Sequence, residues 1–232
     1  DFSTRCSQLG VVKCVGFDSA TDIVGGYGDP SGILPGDSTP RLDTTLRTSG
    51  NSSLLFTIPS NSGANSSGTY FANFANDLSL QFGAGEEFYI QWRHRFSPEM
   101  LDTYYQGSNG FKQFGVSEGD RPGTVVSFCT DIGVVMENSS QLGMPLMYHS
   151  CGAKDGKYEP LSYYDPTVGQ ILLQNAVPNC TYAGSRDGCV RYQANQWMTF
   201  QVRVKVGTWY RNDGNYKYDS TIQLWVAAEG KP

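Results

Sequence analysis

Residues Glu86 to Phe96, EEFYIQWRHRF, alternate between apolar and polar along nearly their whole length. In an extended strand this puts Phe88, Ile90, Trp92, His94 and Phe96 on one face, and Tyr89, Gln91, Arg93 and Arg95 on the other. Trp197 to Val206 repeats the plan. Met198, Phe200, Val202, Val204 and Val206 stand opposite Thr199, Gln201, Arg203 and Lys205. In Thr221 to Ala227, Ile222, Leu224 and Val226 stand opposite Gln223 and Trp225. Each stretch predicts a half-buried strand. In a shared sheet they would give one apolar core face and one outer face of Arg, Lys, Gln and aromatic side chains. Such a face suits plain solvation, or an anionic, hydroxyl-rich ligand.

Shorter patterned runs predict further strands at Val11–Phe17, Ser53–Ile58, Phe111–Ser117, Thr124–Thr130, Ile132–Glu137, Leu146–Ser150 and Gln170–Val177. Gly, Pro, Asp and Ser dominate Asp18 to Leu42, which reads as a long irregular loop, and Ser60 to Thr69 is a second loop. Ser97 followed by Pro98 and Glu99 predicts a short helix, with Ser as N-cap and Pro in the first turn. No stretch of sustained helical periodicity, linker or internal repeat interrupts this picture. The expectation is one all-β domain over residues 1–232: an antiparallel β-sandwich, or jelly roll, with long loops.

The formal net charge of −5 excludes a general nucleic-acid binder. Against that background Arg93, Arg95, Arg203 and Lys205 form a local reversal of sign on one strand face. No apolar run is long enough to span a bilayer, so no membrane partner is expected. Six cysteines lack paired zinc-site spacing and fit disulfides of an oxidising compartment. Neighbour pairing predicts Cys6–Cys14, Cys129–Cys151 and Cys180–Cys189. Asn-x-Ser/Thr triplets at Asn51, Asn65, Asn138 and Asn179 offer glycosylation positions. Cysteines and sequons together predict a secreted, extracellular protein.

Candidate chemistry is limited. By parity His94 falls on the apolar face and reads as a hydrogen-bonded core residue. His149 follows Tyr148 near Cys151, and the pair could move a proton; a buried structural His is the competing reading. A Glu-x-Asp-x-x-Glu strand that would supply paired carboxylates for glycoside hydrolysis is missing, as is a Gly-x-Ser-x-Gly elbow. Glu86 and Glu87 read as solvated turn residues. No cofactor is called for, although loop aspartates and carbonyls could hold a structural calcium. The residue types suit β-elimination on a uronic acid. Arg93 and Gln113 would neutralise the carboxylate, while His149 and Tyr148 transfer protons. Gln91, Arg95, Gln201, Arg203, Lys205, Tyr210 and Trp225 would bind flanking sugars.

The succession EFYIQWRHRFSPEM, GFKQF, MYHSCG, QWMTFQVRVKVG and STIQLWVAAEG resembles secreted polysaccharide lyases of the heparin-lyase I and glucuronan-lyase type. The likeness covers about residues 85 to 230. It implies a concanavalin-like jelly roll and cleavage of an acidic polysaccharide. Gln113 stands where that family has a Gln-Ile-His strand, but Phe114 and Gly115 replace the Ile and His, which leaves His149 as the base. Two other readings use the same residues: a non-catalytic carbohydrate-binding jelly roll, and a glycosylated assembly protein that associates through an open sheet edge. The family's jelly rolls continue past the Leu-Trp-Val strand, whereas this sequence stops at Pro232. The Thr221 to Ala227 strand should then lack a partner, its edge covered by a neighbouring molecule, a C-terminal fragment or the Asp18 to Leu42 loop. Arg93, Arg95, Gln201 and Arg203 should share one concave face, with Gln113 nearby and His149 at its border.

Overall fold

In a computed structural model of the chain the described residues are 1–23, 33–34, 40–63, 66–103, 111–116, 134–139, 144–149, 163–165, 170–172, 190–207, 211–212, 215–216 and 221–231. Their secondary structure is mostly strand, and every strand-to-strand pairing among them is antiparallel. The class is all-β. No helix among the described residues is long and apolar enough to cross a membrane. Contacts divide the chain into two compact units, one built on Asp1–Gln81 and the other on the described residues from Phe82 onward.

The first unit opens with helix α1 (Phe2–Cys6), whose N-cap Asp1 accepts from the Thr4 amide at 2.7 Å. Strands β1 (Ile33–Leu34) and β4 (Thr69–Tyr70) form one small ladder. Strands β2 (Arg41–Asp43) and β3 (Ser53–Leu55) form another. Val11–Phe17 does not become the predicted strand. The Cys6–Cys14 disulfide, paired as the spacing predicts, pulls this run back towards α1. The Lys13 ammonium is tied to the Asn73 carbonyl at 2.7 Å and to Asn76 Oδ1 at 2.9 Å. Phe17 then turns the backbone with φ +57°, which no strand tolerates. The other four cysteines lie outside the described residues.

The second unit holds the three long patterned stretches. They form β5 (Glu87–Arg95), β11 (Trp197–Lys205) and β14 (Thr221–Ala227), paired in the order β14-β11-β5. Between the first two come α2 (Pro98–Asp102), β6 (Phe111–Val116), β7 (Val134–Ser139), β8 (Met144–His149), β9 (Tyr163–Asp165) and β10 (Gln170–Leu172). Strands β6 to β10 make a five-stranded sheet ordered β6-β7-β8-β10-β9. β12 (Arg211–Asn212) and β13 (Asn215–Tyr216) form a short hairpin. Helix α2 starts as its sequence dictates, with Ser97 Oγ accepting from the Met100 amide at 3.2 Å.

Alternation sorts the three-stranded sheet as predicted. Met198, Phe200, Val202 and Val204 are fully buried, with Phe88, Phe96, Val206 and Ile222 close to that limit. Trp92 stacks on Phe200 at 5.4 Å and on Phe114 of β6 at 4.0 Å, so Phe114 packs against the apolar face of β5 and β11. Tyr192 closes this core edge-on to Phe96 at 4.9 Å. Among the described residues β14 has β11 as its single partner strand.

Candidate functional site

The outer face of the three-stranded sheet gathers the polar positions into cross-strand rows. Register sets Gln91 beside Gln201 and Gln201 beside Trp225. One step along lie Tyr89, Arg203 and Gln223; one step the other way lie Arg93, Thr199 and Ala227. Glu87, Lys205 and Thr221 make an outer row, and Arg95 faces Trp197. A row crosses two strand spacings, about 10 Å, the scale of a short oligosaccharide.

Gln91 Nε2 donates to Gln201 Oε1 at 3.0 Å, a side-chain bond across the two strands. Trp225, at 44% exposure, and Tyr89, at 53%, present aromatic surface to solvent. The Arg203 guanidinium donates to Glu87 and also to Gln223 Oε1 at 2.6 Å. Glu87 accepts a further bond from the Tyr89 hydroxyl at 2.7 Å. The bonds from Arg203 and then Tyr89 lower the Glu87 pKa to about 2, while the same carboxylate raises those of Tyr89 and Arg203. Arg95 is clamped on Asn195, through Nε to the carbonyl at 3.1 Å and through a terminal nitrogen to Oδ1 at 2.9 Å. Asn195 adopts φ +61°, a conformation that Asn tolerates better than most residues.

Arg93 differs from these. Its nearest carboxylate among the described residues is Glu229, in the turn after β14, at 3.7 Å, an ion pair longer than a hydrogen bond. Its Nε is buried with no acceptor among the described residues, as is that of Arg203, so the two differ in their terminal nitrogens. The other oxygen of Glu229 accepts from the Trp197 amide at 3.3 Å.

Of the residues predicted to bind sugars, Gln91, Arg95, Gln201, Arg203, Lys205 and Trp225 therefore share one face with Arg93, and Tyr210 lies outside the described residues. Of the residues assigned to carboxylate neutralisation, Arg93 lies on this face and Gln113 does not. Gln113 accepts from the Tyr192 hydroxyl at 2.6 Å, and Tyr192 packs on Phe96 and Phe200, across the sheet from Arg93. His149 and Tyr148 lie on β8, opposite Val134 and Val135. Strand alternation puts position 149 on the face of its sheet that also carries position 114, the one packed on Trp92. His94 is on the apolar face as expected, its ring stacked on Phe96 at 4.3 Å, and burial lowers its pKa to about 4.

Glu87 corrects the sequence reading: it is the first residue of β5 and the partner of Arg203, not a solvated turn residue. Its parity with Tyr89, Gln91 and Arg93 was the signal for that placement. Glu229 carried no local signal, because its partners come from two other strands. Asn51 is exposed, Asn138 lies in β7, and Asn65 and Asn179 fall outside the described residues. Among the described residues no group of His, Cys, Asp and Glu is placed to hold a metal ion. Comparison with protein-family models, with curated proteins and with solved structures gave no match.

Proposed function

We propose that this chain is a secreted jelly-roll protein of the concanavalin-like type that binds an acidic polysaccharide on the outer face of the β14-β11-β5 sheet. The observation that carries this reading is the row Trp225, Gln201 and Gln91, with Arg203 and Tyr89 on one side and Thr199 and Arg93 on the other. An exposed indole offers an apolar platform for the C–H face of a sugar ring. Planar amides beside it offer paired donors and acceptors for hydroxyl groups. Arg93, Arg95, Arg203 and Lys205 outnumber Glu87 and Glu229, so the local field favours an anionic chain although the whole protein is acidic.

Binding without turnover is preferred to β-elimination because Gln113 is engaged by Tyr192 on the other side of the sheet from Arg93. Tryptophan fluorescence and calorimetric titrations with oligosaccharides of glucuronan, alginate and heparin, beside neutral glucans, test the reading. Saturable binding of an acidic chain that disappears in Trp225→Ala is expected. Equal or absent binding across all of them would overturn it. Growth of an unsaturated-uronate absorbance during the same titrations would restore the lyase reading. Concentration-dependent assembly without glycan binding would favour the structural one.

A further inference from the structure

The cations of this face are not equivalent. Arg203 is neutralised by Glu87 and also bonded to Gln223, and the depressed pKa of Glu87 keeps that pair ionised through the physiological range. Arg95 spends two of its donors on Asn195. Among the described residues Arg93 makes a single long ion pair through one terminal nitrogen, so its terminal donors are largely uncommitted, while its Nε is buried as that of Arg203 is. The carboxylate at the end of that ion pair belongs to a short turn closed by the Lys231 amide donating to the Ala228 carbonyl at 3.0 Å. Glu229 is 47% exposed there, against 28% for Arg93.

The position of this carboxylate is informative. One oxygen faces a guanidinium and the other a backbone N–H, that of Trp197, at the first residue of β11. A guanidinium beside a backbone N–H is a donor set that recognises anionic oxygens in general. We infer that Glu229 occupies the anion position of the face, and that the carboxylate or sulfate of a bound acidic sugar replaces it at Arg93 and the Trp197 amide. The inference rests on the glycan-binding reading above and names its charged contact. Thr199, between Arg93 and Ala227 in the same row, would supply a hydroxyl beside that contact. Because Glu229 is half exposed on a turn and its ion pair is long, leaving Arg93 costs it little. Neutral sugars, which have no anion to place there, would leave the carboxylate where it stands.

Affinities of uronate and sulfated oligosaccharides for the wild type, Glu229→Gln, Arg93→Gln and the double variant test this. Glu229→Gln should bind acidic chains about two- to five-fold more tightly, the factor a partly exposed ion pair is worth. Arg93→Gln should weaken them about tenfold, as expected on losing a charged hydrogen-bond donor. In the Arg93→Gln background the Glu229 substitution should add nothing, whereas a general charge effect would persist there and overturn the inference. Neutral oligosaccharides should be indifferent to both changes. Uronate against sulfate chains identifies which anion the position takes.

A second measurement separates this from the glycan reading. Sodium acetate and sodium sulfate, titrated into 15N-labelled protein, should move the Trp197 amide and the Arg93 Nε–H together, and Glu229→Gln should move both without added anion. A response to these ions without sugar binding would sink the glycan reading and keep the anion position. A Trp197 amide indifferent to both ions and to Glu229→Gln would overturn the inference itself.

Discussion

Acidification should destabilise this protein well above the carboxylate range, and His94 should be the reason. Its imidazole lies on the apolar face of β5 against Phe96, and burial lowers its pKa from 6.5 to about 4. A depressed folded-state pKa means that the unfolded chain binds the proton first. Stability is then complete above pH 6.5 and falls as the pH drops from there towards 4. At about 1.36 kcal/mol per pH unit the loss approaches 3 kcal/mol, an upper value because His94 keeps partial solvent contact. Glu87 contributes in another window. Its pKa is lowered from 4.5 to about 2, so its share is lost only as the pH falls from 4.5 towards 2. Urea unfolding at several pH values between 7 and 4.5, for the wild type and His94→Leu, isolates the histidine. The wild type should lose most of its 3 kcal/mol across that range relative to the variant, whose curve should be nearly flat. An imidazole titration by NMR should leave His94 neutral in the folded protein at pH 5. Parallel curves, or a folded-state His94 that titrates near 6.5, would refute the reasoning.

Three further outcomes are expected from the packing. Tyr192→Phe removes the donor to Gln113 in a buried setting and should cost about 1–3 kcal/mol in chemical denaturation; a change below about 0.5 kcal/mol would mean that the bond contributes nothing net. Phe200→Ala empties the centre of the core, where Phe200 has no exposure and touches Trp92 and Tyr192, and should cost about 3–5 kcal/mol by the same assay. Replacing Cys6 and Cys14 together by Ser releases a short loop worth roughly 2–3 kcal/mol and should speed proteolysis within the first twenty or so residues, leaving β5, β11 and β14 protected.

Local pattern determined β5, β11 and β14 and the face each side chain takes, because successive side chains of a strand point to opposite sides. Once Phe88, Phe200 and Ile222 must be buried, Tyr89, Gln201 and Gln223 have only the other face to occupy. The cap of α2 was equally legible, since Ser97, Pro98 and Glu99 act within one turn. Val11–Phe17 misled because an apolar run says nothing of a disulfide and a lysine anchor that hold it out of any ladder. Gln113 misled for a related reason. The β6–β7 register shifts between Lys112 and Phe114, and the partner that engages its amide, Tyr192, arrives from far along the chain. Glu87 with Arg203, and Glu229 with Arg93 and Trp197, are likewise pairings across strands that lie far apart in sequence. Alternation determined the composition of the outer face. Which of its cations is spent and which keeps its donors depended on strand register, and only the tertiary structure decided that.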